Sequence, residues 1–400
     1  MSEHYHNNQD ASHEEYQYRF PEVFASKKPV VMQIIPELGA GGAEQGCIDV
    51  SNAIIAAGGR SIIVSNGGMR VYEAMKKGAE HITLPVHSKN PLTMWRNAQR
   101  LKNIIYKERV NIVHARSRAP AWSAYKACKE TNTPFVTTCH AAYKFEGKLK
   151  RKYNSVMASG DRVISISGFI TDYLKDSYNI SDDKIRLAYR GLPMEKYKPN
   201  AVTKERLITL AKEWRLPDGA LVVMMPARLT RIKGHHFLID AIAKLKRKDV
   251  VCVFLGSDQG RKAYRHELED TIKEKGLEGR VRIVPHCNDM PTAYMLASVT
   301  VCASIVPEGF GRVPVESQAM GRPTIATNHG GAAETIVPDF TGWLVEPGNV
   351  DEMANAINEA LNLTNEEREN LAYASMMHVA QYFSVEAMCA NVLETYSELL

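Results

Sequence analysis

The feature that most limits the fold is an alternation of two periods along the chain. Short apolar runs of β-like composition recur at residues 29–35, 61–65, 81–86, 110–115, 134–138, 162–167 and 184–189, and stretches of helical spacing such as 92–109 and 120–131 stand between them. The runs are too short for helices and too continuously apolar for a sheet with one wet face, so they read as strands buried on both sides. Strands joined through helices lie parallel, with helices on both faces of the sheet. After a polar, linker-like stretch around Lys198-Pro199-Asn200 a second series begins, with strand-like runs at 220–227, 250–256, 280–285, 299–303, 324–327 and 343–345. No short fixed period repeats, so the reading is two doubly wound α/β domains and not a solenoid. Four hundred residues suit two such cores. Residues 1–28 carry little apolar patterning and read as a polar, mobile arm; 29–197 form the first domain and 198–384 the second.

Composition excludes several classes. No apolar run approaches the ~20 residues that span a bilayer, and the polar N-terminus has no signal-peptide core, so a cytoplasmic protein is expected, peripheral on a membrane at most. Seven cysteines, an odd number without a C-x-x-C pair, read as reduced core residues. The formal charge of +5 hides an asymmetry: residues 29–195 hold 24 Lys and Arg against 14 Asp and Glu, while both flanking parts are net acidic. A basic first domain suits an anionic partner. No nucleic-acid-binding signature accompanies it, so a phosphorylated acceptor or an anionic membrane surface is expected instead.

Ligands of parallel sheets sit beyond the C-terminal ends of the strands, and the informative residues cluster there. After the run 299–303 comes Glu308-Gly309-Phe310-Gly311-Arg312-Val313-Pro314-Val315-Glu316, a strand–loop–helix turn. Its glycines let backbone N–H groups approach a ligand, and the following helix N-terminus favours an anion. Carboxylates are poor phosphate ligands but good acceptors for sugar hydroxyls, so Glu308 and Glu316 on either side suit a sugar and a ribose. After the run 220–227 comes Arg228-Leu229-Thr230-Arg231-Ile232-Lys233-Gly234. In the first domain, Gly39-Ala40-Gly41-Gly42-Ala43-Glu44 turns the first strand into a helix. In the G-x-G-x-x-G register its sixth position is Glu44, which weakens an oxidoreductase reading.

Taken together, the E-x7-E spacing, the downstream Gly330-Gly331-Ala332-Ala333-Glu334, the R-x4-K-G element and the G-G-A-E loop resemble the family 4 retaining glycosyltransferases. The resemblance covers about residues 30–400 and is densest from 226 to 346. It implies the GT-B fold, two Rossmann-like domains facing across a cleft, with the final helix 385–400 returning to the first domain. It also implies donor diphosphate contacts from Gly41, Gly42, Arg228, Lys233, Phe310, Gly311 and Arg312, a ribose on Glu316, sugar hydroxyls on Glu308, and His140, in its T-x-H position, facing the donor sugar. A nucleoside-diphosphate sugar is the implied donor, transferred with retention of configuration. The base is expected near residues 283–287, where His286 departs from the glycine common in relatives.

Fixed cations stabilise the charge that develops on a departing diphosphate. With no D-x-D pair in the chain, neither a metal nor any other cofactor is expected. Two readings rest on clustering alone. Arg116 and Arg118, after the run 110–115, either grip an anionic acceptor or are simply solvated. Lys144, Lys148, Lys150, Arg151 and Lys152, with aromatics between them, form either a peripheral membrane contact or a solvated helix face. The acceptor is expected to be an anionic, lipid-linked glycan such as a lipopolysaccharide core, or else a soluble sugar or sugar phosphate. The other class of function is a non-catalytic sugar-nucleotide-binding protein.

Overall fold

The computed structural model describes residues 20–143, 145 and 147–400. Each predicted apolar run forms a strand. In the first sheet these are β1 (Val30–Ile34), β2 (Arg60–Ser65), β3 (Glu80–Thr83), β4 (Ile112–Ala115), β5 (Phe135–Cys139), β6 (Arg162–Ser165) and β7 (Ile185–Leu187). In the second they are β8 (Leu221–Pro226), β9 (Val250–Leu255), β10 (Val281–Val284), β11 (Val299–Cys302), β12 (Thr324–Thr327) and β13 (Trp343–Val345). The orders are β3-β2-β1-β4-β5-β6-β7 and β10-β9-β8-β11-β12-β13, and every pair is parallel. Apolar clusters on both faces explain why the strands alternate so little: Met32, Ile34 and Val113 pack to one side of the first sheet, Val31 and Ile112 to the other.

These orders place the site. In each sheet the winding direction reverses beside the first strand, between β1 and β4 and between β8 and β11. A crevice opens at such a switch point because the connections on either side leave toward opposite faces. Gly41 and Gly42 follow β1, Arg116 follows β4, Arg228 follows β8 and Glu308 follows β11, so both crevices carry the residues picked out above.

The chain crosses between the sheets twice, and the crossings are stitched together. Leu192 N donates to Phe383 O at 2.7 Å and Val385 N to Leu192 O at 3.1 Å. The helix Val385–Ser397 then packs Met388, Cys389, Val392, Leu393 and Tyr396 into the first domain's core. Its far end is fixed by Glu398, which pairs with Arg162 and Arg186.

The arm reading needs correction. Residues 1–19 lie outside the described residues, but Glu22–Lys27 is a helix whose Phe24 is fully buried beside Val31, Ile54 and Tyr396. One apolar plug in a polar stretch has no period for a sequence to display. All seven cysteines are buried and unpaired. Among the described residues no helix is long and apolar enough to cross a membrane.

Candidate active site

The second domain builds its half of the site from two loops. The turn Arg231–Lys233 is closed by Gly234 at φ +77°, and a Cβ there would stand 1.9 Å from Ala303 O. Only glycine fits, and the tight turn swings Lys233 towards β11, where its Nζ meets Glu308 Oε2 at 2.6 Å. Ser304 Oγ donates to the other carboxylate oxygen of Glu308. Arg228, exposed, lines the same wall of a cavity of about 480 Å³, together with Gly309, Phe310, Gly311 and Arg312.

Glu316 lies in the helix Arg312–Ala319 that follows and is 7% exposed. Tyr294 OH donates to its Oε2 at 2.9 Å and Arg312 Nη2 to its Oε1 at 2.7 Å. The carboxylate is therefore held from both oxygens; Glu316 itself lines neither cavity, and Arg312, its partner, lines both. Tyr294 was not among the sequence candidates; it lies 22 residues before Glu316, and no local pattern links the two.

The first domain closes the opposite wall. Gly42 opens the helix Gly42–Ala56 with Gly41 as its N-cap. A Cβ on Gly41 would lie 2.2 Å from the Glu44 carboxylate, and one on Gly42 would lie 2.1 Å from Arg190 Nη2. The two glycines thus make room for side chains that lie across the loop. His140, at the end of β5, faces both the 480 Å³ cavity and a second one of about 230 Å³. Both its ring nitrogens are buried without a hydrogen bond. Burial first, then the nearby Arg190 and Arg116, push its pKa well below the usual imidazole value, so the ring is neutral. A neutral imidazole with two free nitrogens can accept from one hydroxyl and donate to another.

Arg190 is a second residue that sequence reading missed. It follows β7 and lines both cavities. Burial, then Arg312 and Arg116, lower its pKa to about 10, which leaves it charged at neutral pH. Its signal was position alone: a cation at the C-terminal end of a strand, in a segment read as the approach to a linker.

Three expectations meet the structure differently. Arg116 is 4% exposed and lines the smaller cavity, but Arg118 does not reach it. The Arg118 guanidinium lies 4.1 Å from the Tyr143 ring centre, and its Nη1 donates to Asn154 Oδ1 at 2.8 Å, so it fastens the segment after β5 and is withdrawn as an acceptor ligand. In the basic run, Lys144 lies outside the described residues. Lys148, Lys150 and Lys152 are exposed on the helix Lys148–Asn154, with Leu149 86% exposed among them, whereas Arg151 donates to Ser177 O at 2.7 Å. Residues 283–287 span the end of β10, the sheet's edge strand, and the loop after it, and do not line the 480 Å³ cavity.

Two loops join the walls. Ser167 Oγ donates to Gly309 O at 2.7 Å. Glu334, in the second domain, accepts from Gly168 N and Phe169 N at 2.6 Å each and from Tyr189 OH at 3.2 Å. The cleft is thus bridged beside its catalytic face.

Comparison with known proteins gives this geometry a family. The model "Glycosyltransferase Family 4" matches residues 40–196, and "Glycosyl transferases group 1" matches 208–376. A solved glycosyltransferase from Rickettsia africae ESF-5 is 36% identical, with a TM-score of 0.85 over 93% of this chain and 98% of that one. Anabaena Alr3699/HepE, solved in complex with UDP, has the same fold at 21% identity, with a TM-score of 0.78 over 93% of this chain and 100% of that one. The D-inositol 3-phosphate glycosyltransferase of Jonesia denitrificans is 26% identical over 312 residues, 72% of this chain and 71% of the relative. Two family models that together take in both domains, and a glycosyltransferase 36% identical along nearly its whole length, show that the chain belongs to the family 4 glycosyltransferases of the GT-B fold.

Proposed function

We propose that the enzyme transfers a sugar from a nucleoside-diphosphate sugar to an anionic acceptor, with retention of configuration. The observation that carries this is the Lys233–Glu308–Ser304 cluster at the ends of β8 and β11, facing the neutral His140 across the cleft. In this reading Arg228, Lys233 and the amides at Gly41, Gly42 and Phe310–Arg312 take the diphosphate, and Glu316 takes the ribose. Glu308, oriented by Lys233 and Ser304, accepts from sugar hydroxyls. As the glycosidic bond breaks, its electrons pass to the diphosphate oxygen, and the preorganised cations stabilise that charge most in the transition state. The departing phosphate takes the proton of the acceptor hydroxyl, which attacks from the same face. Closing the cleft excludes water that would hydrolyse the donor. Lysine and arginine supply the positive charge, so we expect transfer to survive EDTA.

UDP-sugars are the first donors to test, by likeness to the UDP-bound Anabaena protein. A ligand at 100 times its Kd adds about 2.7 kcal/mol of stability. Melting curves with UDP-, GDP- and ADP-sugars should therefore show one base clearly raising Tm, and Glu316→Ala and Lys233→Ala should abolish that shift. A wild-type protein that binds a nucleotide sugar without ever transferring it would leave the non-catalytic reading in its place, and one that no nucleotide sugar stabilises would refute both.

For the acceptor, the first reading is a lipid-linked glycan such as a lipopolysaccharide core. The exposed Lys148, Leu149, Lys150 and Lys152 would place the enzyme peripherally on an anionic membrane. Salt-sensitive co-sedimentation with anionic liposomes, lost on changing these three lysines to serine, tests it. A soluble sugar phosphate is the second reading, favoured by the small 230 Å³ cavity and by likeness to the D-inositol 3-phosphate enzyme.

A further inference from the structure

The smaller cavity has an unusual charge balance. Arg70, Arg116, Arg190, Lys196 and Arg312 line it, with His140 and Thr138, and no aspartate or glutamate does. Two of the cations are already spoken for: Arg70 grips Glu73, and Arg312 grips Glu316. Among the described residues the other three have no carboxylate within 4 Å. Two acids act on them from beyond that distance without pairing: Glu44, folded back over Gly41, attracts Arg190, and Asp49, held by the Gln45 amide at 2.7 Å, attracts Arg116.

Arg116 is the clearest sign of a missing partner. It is 4% exposed, its Nε donates to Gln33 Oε1 at 2.8 Å, and its Nη2 is buried without a hydrogen bond. Gln33 is itself fixed, with its Nε2 donating to Cys47 O at 3.0 Å. A guanidinium positioned this firmly and left with a bare, desolvated N–H is costly to the fold unless an anion arrives. Arg190 stands where the two cavities meet, its guanidinium across Gly42, and the like charges of Arg116 and Arg312 add to the cost of holding it there. Three positive charges without a paired carboxylate outmatch a single carboxylate. They suit a phosphate monoester, which carries about −1.5 to −2 at neutral pH and presents three acceptor oxygens. The volume, about 230 Å³, falls below the ~300–1,000 Å³ of pockets that enclose a drug-sized ligand. It holds a single sugar ring with its phosphate, not an oligosaccharide.

We propose that this cavity is a phosphate subsite, in which Arg116, Arg190 and Lys196 hold a phosphomonoester on the acceptor sugar and direct that sugar's hydroxyl toward His140. The proposal rests on the glycosyltransferase reading of the adjoining donor cavity, and it narrows the acceptor from any anion to a phosphorylated sugar, free or at the head of a glycolipid.

The test is calorimetric titration of the full chain saturated with UDP, so that phosphates cannot enter the donor cavity. The probes are glucose 6-phosphate and inositol 1-phosphate, each beside its unphosphorylated parent, and inorganic phosphate. We expect at least one sugar phosphate to bind at least tenfold more tightly than its parent and than inorganic phosphate. Arg116→Gln and Arg190→Gln should each weaken it at least tenfold while the UDP affinity stays within twofold. Arg116→Lys should recover part of the loss, because lysine keeps the charge without the fork. Should Arg116→Gln unfold, the half-buried Arg190 carries the test alone. A phosphorylated glycolipid in detergent that displaces the sugar phosphate tenfold more tightly identifies a lipid-borne source of the same group; displacement by soluble sugar phosphates alone identifies a free one. Equal binding of sugars with and without phosphate overturns the proposal, as do variants without effect. If Arg190→Gln costs UDP affinity instead, the subsite falls but the donor reading stands. If the wild type binds no nucleotide, the donor reading itself has failed.

Discussion

Exchanging Glu334 for glutamine should loosen the cleft without unfolding either domain. The carboxylate is the second domain's main polar hold on the first, accepting two backbone N–H groups at the start of the helix Gly168–Tyr178 and the hydroxyl of Tyr189. The amide keeps one acceptor oxygen but turns its NH2 toward a backbone N–H, so one charge-assisted bond is lost and donor faces donor. Such a bond is worth about 1.5–3 kcal/mol, and the favourable helix-end charge about 0.3–1 kcal/mol more. With the site half-buried and partly screened, we take about 2 kcal/mol as the net loss. That divides the closed-to-open ratio by about 30. The seven native cysteines are buried, so Asn132→Cys and Glu369→Cys, both at exposed positions on opposite domains, should accept fluorophores selectively. Single-molecule energy transfer should then show a low-efficiency population in Glu334→Gln that the parent lacks, and UDP should restore the closed one with a weakened apparent affinity. A distance distribution and UDP affinity matching the parent's would mean that the apolar contacts of Phe310 with Tyr189 and Phe383 hold the domains by themselves, and the clamp reasoning would be wrong.

Three further outcomes follow from particular contacts. Gly234→Ala forces a side chain into Ala303 O at positive φ, so urea unfolding should show a loss of about 1–3 kcal/mol or more, and donor affinity should fall as Lys233 is displaced; an unchanged unfolding midpoint would contradict the geometry. Tyr396→Phe removes the hydroxyl 2.6 Å from His114 Nδ1, both groups being fully buried, and should cost about 1–3 kcal/mol on the same assay by leaving that nitrogen unpaired. Acid should destabilise the fold through its buried histidines. Burial lowers the His235 pKa to about 4, and His114 and His140 shift the same way, while the unfolded chain titrates near 6.5. Below pH 6.5 the unfolded state binds protons the folded state refuses, so stability falls as pH drops from about 6.5 towards 4. The slope approaches ~1.4 kcal/mol per pH unit for each such histidine. Urea titrations at pH 7.5, 6 and 5 check this, and His235→Gln should flatten the dependence.

The strands were legible because burial on both faces leaves long apolar runs, and the strand ends were informative because a parallel sheet gathers them at one edge. Lys233, Glu308 and Gly42 could therefore be picked from a string of letters. What stayed hidden depends on direction and on partners. Arg116 and Arg118 are two residues apart and chemically alike, yet Arg116 still bonds to β1 through its backbone, N to Ile34 O at 3.0 Å, and points into the cavity. Arg118 already begins the next helix and turns to Tyr143. Phe24 gave no periodic signal, and Tyr294 no proximity to Glu316. Arg190 shows the deeper reason. A sequence records how many charges a chain carries, and the excess of the first domain was plain from a count. Only the fold shows which charges have been cancelled. Most of that excess is paired or in water; what is left beside His140 is the buried Arg116 and the half-buried Arg190, with the exposed Lys196 at their side and no carboxylate paired to any of them, and desolvated positive charge persists through folding most readily when its ligand is negative.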